Sequence, residues 1–131
     1  MHDAAAEYVR RQAEVFGPFA AVVEVGSRDI NGTVRHLFGA AEYVGLDLYP
    51  GPGVDWVGDA GEYEPAGPVE AVVCCEVFEH VEAWPRLVHR AASWLQRAGV
   101  LIVTCGGPGR RAHSAIDGGG RLHPGEHYGN I

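Results

Sequence analysis

The chain has 131 residues and a mass of 14.0 kDa, enough for one buried core and one site but not for separate cofactor and substrate domains. Hydrophobic residues make up 47% and charged residues 21%, ordinary globular usage, and no apolar run approaches the length a bilayer requires. All ten basic side chains are arginine against seventeen acids; the net charge of −7 gives no general attraction for nucleic acid, and the lack of lysine excludes Schiff-base and phosphate-loop lysine chemistry.

Residues 3–16 place Ala5, Tyr8, Val9, Ala13 and Phe16 on one stripe and predict a surface-packed helix, with Asp3 as N-cap and Gly17-Pro18 as the stop. AAVVEV, residues 20–25, predicts a strand that runs into the turn Gly26-Ser27-Arg28-Asp29. Val34, Leu37 and Phe38 then follow at helical spacing, with Asn31 placed to cap a helix and Gly39 to end it. EYVGLD, 42–47, predicts a second strand, the YPGPG that follows Leu48 cannot be helix, and VDWVGD, 54–59, predicts a third. VEAVVCCEV, 69–77, is almost wholly apolar, as a strand covered on both faces would be. Residues 82–98 put Trp84, Leu87, Val88, Ala91, Leu95 and Ala98 on one helical face before Gly99, and VLIVT, 100–104, predicts the last strand. Beyond Cys105 the chain turns glycine-rich and poor in large apolar residues, which predicts a loop or lid over 106–131.

Strands alternating with helices, and no internal repeat, predict an α/β fold: a doubly wound, mostly parallel Rossmann-like sheet with helices on both faces, its core spanning 20–105 of a single domain. Ligands of such sheets lie at the carboxyl ends of the strands, here Glu24 to Asp29, Asp47, Asp59 and Cys75 to His80. Gly26 permits close backbone approach by a ligand, and Asp47, about twenty residues on, stands where an acid accepts hydrogen bonds from ribose hydroxyls. A G-x-G-x-x-G turn is missing because Arg28 replaces the second glycine, which disfavours a nicotinamide dinucleotide. Glu24 suits a cationic amino group instead, and Asp59-Ala60 can accept from an amino group on adenine.

VVEVGSRDING, YVGLD, VGDA and VVCCEVFEHV, in that order over residues 20–105, resemble the motifs of class I S-adenosylmethionine-dependent methyltransferases, especially their small-molecule branch. The resemblance implies methyl transfer to a small-molecule acceptor. It implies that Glu24 and Gly26 border the methionine moiety, Asp47 the ribose, Asp59 and Ala60 the adenine and Glu76 the rim, with Ser27, Leu48 and Cys75 in the same cofactor shell. Three features depart from the family pattern: Arg28 and Ile30 stand where glycines are usual, only six residues separate Asp47 from Val54, and the closing antiparallel strands are absent after VLIVT. The apolar edge left at 100–104 is then exposed, covered by a partner such as a second copy, or continued in a longer protein.

Glu76, Glu79 and His80 spell E-x-x-E-H, but no third ligand is evident nearby, so no metal is expected; His80 is read as a structural hydrogen-bonding group or a general base. In the tail, His127 or Tyr128 could deprotonate or orient an acceptor. Arg28 reads as a surface ion pair, the alternative being a group that positions the cofactor or acceptor, and the three cysteines as small buried hydrophobes rather than nucleophiles. With neither a CxxC pair nor a secretion signal, the expected setting is a reducing cytoplasm. Two other readings of the fold are a noncatalytic binding module or partner subunit, and a nicotinamide-dependent oxidoreductase.

Overall fold

A computed structural model describes residues 2–40 and 42–131. Helix α1 spans Asp3–Phe16; its outer face is tied by Glu7 to Arg10 and Arg11 and by Arg10 to Glu14, while Ala5 and Val9 are buried against the sheet. Asp3 is its first helical residue rather than its cap: His2 holds the N-cap position, and Asp3 places a negative charge in the first turn.

The strands are β1 (Ala21–Val25), β2 (Glu42–Asp47), β3 (Trp56–Val57) and β4 (Val69–Cys75), followed by helix α2 (Trp84–Trp94) and strand β5 (Leu95–Thr104). They form one sheet in the order β3-β2-β1-β4-β5, with every pairing parallel. This is a doubly wound, Rossmann-like arrangement. Alternation along the strands divides the core in two: Val22, Ala71, Val73 and Ile102 meet Val9, Phe19 and Phe38 on the α1 side. Val23, Val72 and Cys74 meet Phe78, Leu87 and Trp94 on the α2 side. β4 lies between β1 and β5 with nearly every residue buried, which is why its sequence lacks polar alternation.

The structure corrects three expected elements. The helix read at 31–39 shrinks to one 3-10 turn, Arg35–Leu37. Val34 and Phe38 reach the core from that single turn, and Arg35 is drawn sideways to the Tyr43 carbonyl and the Asp55 carboxylate. The second helix stops at Trp94, because Leu95 already pairs with Val69 on the sheet edge; residues 96–99 bulge from that ladder, with Ala98 at φ 65°, before pairing resumes at Val100 with Ala71. The third strand is only two residues long, so the link from β2 needs no helix. Its loop lies flat on β2 instead: a Cβ at Gly45 would stand 2.3 Å from the Gly53 carbonyl oxygen. Among the described residues no helix is long and apolar enough to cross a membrane.

Candidate functional site

β1 and β4 are neighbours, yet the chain leaves β1 toward β2 on one side and β4 toward β5 on the other. The strand order therefore reverses between them, and a cleft of about 1060 Å³ opens at their carboxyl ends.

On the β1–β3 side the cleft is organised by backbone. Gly26 adopts φ 74°, and a Cβ there would lie 2.4 Å from Val77 Cγ2. The Gly26 and Ser27 N–H groups both donate to the Leu46 carbonyl, at 2.8 and 3.0 Å, which binds this turn to β2. Asp47 then joins two turns with one carboxylate: Oδ2 accepts from the Arg28 N–H at 3.2 Å and Oδ1 from the Tyr49 N–H at 3.0 Å. Each oxygen keeps a further lone pair for a ligand. Asp59 caps the turn Ala60–Glu62 by accepting from the Gly61 N–H at 2.8 Å. Leu48, 62% exposed, and the exposed Ile30 and Tyr49 give this side an apolar rim, the kind of surface left bare where a ligand ring settles.

The β4 side is built differently. Glu76 holds φ 58°, a strained conformation for a non-glycine residue, with its N–H donating to the Thr104 carbonyl and its carboxylate 3.6 Å from Arg110. Glu79 is fully buried: Oε1 accepts from the Gly106 N–H at 2.9 Å, and Oε2 has no partner. The rings of His80, His113 and Tyr128 meet edge to face with centroids 4.9 to 5.3 Å apart. His80 Nδ1 and the Tyr128 hydroxyl are buried without partners.

The segment after Cys105 contains no helix or strand but is pinned across these elements. Glu126 Oε1 accepts from the Ser114 hydroxyl and the Ala115 N–H, His123 pairs with Asp117 at 2.9 Å, and the Arg28 guanidinium donates to the Ile116 carbonyl. Gly129 N–H donates to the Glu79 carbonyl and Ile131 N–H to that of Gly106. Arg28 is therefore a bridge from the β1 turn to the tail rather than part of a surface ion pair.

Of the residues singled out in the sequence, Gly26, Asp47, Leu48, Asp59 and Ala60 line the cleft from the β1–β3 side. Cys75, Glu76 and His80 line it from β4, and His127 from the tail. Glu24, Ser27 and Tyr128 do not. Glu24 is buried beneath, accepting from the Tyr43 hydroxyl at 2.8 Å; burial pushes its carboxyl up to about 7, against the opposing pull of that hydrogen bond and of Arg35. Ser27 is buried with its hydroxyl unpartnered, against Gly45. Tyr128 packs behind His80. Burial also lowers the His80 pKa, with His113 adding to the effect, which favours a neutral imidazole, and pushes the Cys75 thiol up to about 12, which leaves it no nucleophile. Arg110 and His113 are site residues that the sequence reading missed; they come from an aperiodic segment with no spacing motif.

No protein-family model and no curated protein sequence matches the chain. Solved structures do. DesVI of Streptomyces venezuelae superposes with a TM-score of 0.64 at 19% identity, over 84% of this chain and 53% of that one. CalS10 of Micromonospora echinaspora, an amino pentose methyltransferase involved in calicheamicin biosynthesis and solved with SAM bound, gives 0.62 at 24% identity, over 86% and 54%. The sugar N-methyltransferase KedS8 of a Streptoalloteichus species gives 0.60 at 22%, over 86% and 52%. The chain thus spans about half the length of each of these proteins. The likeness shows the fold: this chain shares the Rossmann-like fold of these three proteins.

Proposed function

We propose that the protein binds S-adenosylmethionine and takes part in methyl transfer to a small-molecule acceptor. The observation that carries this reading is the convergence, in one cleft where the strand order reverses, of the Gly26 turn, the Asp47 carboxylate and the Asp59-Ala60 turn. The residues fit the cofactor. Gly26 leaves room where a side chain would collide, Asp47 retains acceptor capacity for two ribose hydroxyls, and Leu48 and Tyr49 offer apolar surface to adenine. Glu24, buried under the Gly26 turn, would favour an ammonium group above it through the field of its carboxylate rather than by contact.

The bound cofactor supplies a sulfonium-activated methyl, so the chain's own task is chiefly to align an acceptor and exclude water. With the cofactor held there, an acceptor lone pair would displace the methyl carbon from sulfur, and the chain's part would be to receive the acceptor's proton or pass it to solvent. His80, kept neutral by burial, and His127 both face the cleft and can take that proton; Tyr128 stands behind His80 and acts on its position. The names of CalS10 and KedS8 support a sugar amine as the acceptor to try first. The free thiols of Cys74, Cys75 and Cys105 support a reducing compartment as the setting.

Calorimetric titration with S-adenosylhomocysteine tests the reading. The expected result is about micromolar binding, weakened at least about tenfold in Asp47→Ala, with no heat from NAD. A folded protein that ignores S-adenosylhomocysteine would sink the methyltransferase reading and leave a noncatalytic module; heat from NAD alone would move it to an oxidoreductase.

A further inference from the structure

The fold brings a third ligand to E-x-x-E-H. Glu79, His80 and His113 each offer a ligand atom, and these atoms all lie within 4.8 Å of one another, although His113 is far along the chain from the other two. We propose that this cluster is a binding site for a divalent first-row transition cation, held by one carboxylate and two imidazoles.

Three independent features of the site support it. Glu79 is fully buried, yet only Oε1 is engaged, by the Gly106 N–H; Oε2 is left without a partner, as is His80 Nδ1. A buried carboxylate oxygen left bare in this way is costly, and a cation held by the cluster would satisfy it. The ligands are also oriented from behind, as metal ligands characteristically are. His113 Nδ1 lies 3.2 Å from the Arg111 carbonyl, which fixes the proton there and leaves Nε2 with a free lone pair. The Gly106 N–H fixes the Glu79 carboxylate in the same way. Finally, His80 and His113 both line the cleft while Glu79 lies beneath it. Two imidazoles and one carboxylate leave coordination positions open, the pattern of sites that take an oxygen or nitrogen donor from a substrate. Their open side is the cleft.

Aromatic packing of His80, His113 and Tyr128 explains the ring geometry but not the bare Glu79 Oε2 beneath the rings. The ligand types favour zinc or iron(II) over magnesium or calcium, which prefer sites made of oxygen alone.

The test is titration of metal-stripped, tag-free protein with Co²⁺, followed by its visible d–d absorption, and competition by Zn²⁺. One equivalent is expected to bind with a tetrahedral or five-coordinate spectrum, and Zn²⁺ to displace it. His113→Ala, in the irregular segment, should weaken binding by at least about a hundredfold, beyond what loss of an outer-shell partner costs. Glu79→Gln should do the same, with far-UV circular dichroism as the check that it folds. His123→Ala, paired on the surface with Asp117, should bind as the wild type does. Absence of stoichiometric binding to the wild type, binding that survives His113→Ala, or equal loss in His123→Ala would each overturn the site. The assay contains no S-adenosyl compound, so its result is read separately from methyl transfer; a cation on His80 would leave His127 as the group that takes the acceptor's proton.

Discussion

The two walls of the cleft are made on opposite plans. On the β1–β3 wall the polar groups that face the ligand space are committed to backbone, Asp47 to Arg28 and Tyr49, Asp59 to Gly61, and the Leu46 carbonyl to Gly26 and Ser27, and the bare Ser27 hydroxyl lies beneath that wall. On the β4 wall, buried polar atoms of Glu79, His80 and Tyr128 have no partner, and Glu76 holds a strained backbone. A wall whose groups are satisfied is preorganised for one shape of ligand. A wall with unsatisfied groups awaits something to complete it. This is the division expected when a common cofactor binds on one side and chemistry specific to the protein proceeds on the other.

The largest test of that contrast concerns Glu24, the strongly perturbed carboxyl buried beneath the first wall. Its folded pKa of about 7 lies above the ordinary 4.5. Below pH 4.5 it is protonated in both states; as pH rises from 4.5 to 7 the unfolded chain releases its proton first, so stability falls across that window and levels off above it. The shift corresponds to about 3 kcal/mol. Urea unfolding at pH 4.5 and pH 8 should show that loss in the wild type and not in Glu24→Gln; parallel behaviour of the two proteins would refute it.

Next in size is Gly26→Ala, which meets both a left-handed backbone and Val77 and should cost about 1–3 kcal/mol while abolishing S-adenosylhomocysteine binding. Normal binding by this variant would show that the first wall tolerates what its geometry forbids. Glu76→Gly should act in the opposite sense on the opposite wall, relieving strain and raising stability by up to about 1 kcal/mol, since only a loose contact with Arg110 is lost. A clear fall in melting temperature would reveal a structural need for that carboxylate. The smallest effect belongs to Tyr128→Phe. Its hydroxyl is buried and unpartnered, so removal should leave stability unchanged or better by less than about 1 kcal/mol. A larger loss would mean that the hydroxyl has a partner in solution.

The contrast also governs what could be read from the sequence. The strands of the sheet were legible because an apolar run such as 69–75 has few other homes, and the first wall was legible because its residues sit at strand ends in fixed order. The helix expected at 31–39 was not, since Val34, Leu37 and Phe38 reach the core equally well from one turn when glycines flank them. The end of α2 was hidden too, because Leu95 continues the helical stripe while its backbone joins the sheet. In the second wall His80 was visible, but His113 arrives through a segment ordered by side-chain bonds to backbone from Glu126, Asp117 and Ser114. Such bonds leave no period in the sequence.

The near contact between position 26 and Val77 places the two walls in direct opposition at the floor of the cleft. Side-chain volume at these two positions is one shared quantity: what one strand end gains, the other must give up. Homologous chains that keep this cleft should then vary at 77 only within the small aliphatic sizes while 26 stays glycine. The pair becomes a gauge by which the cleft's width can be read in any such sequence.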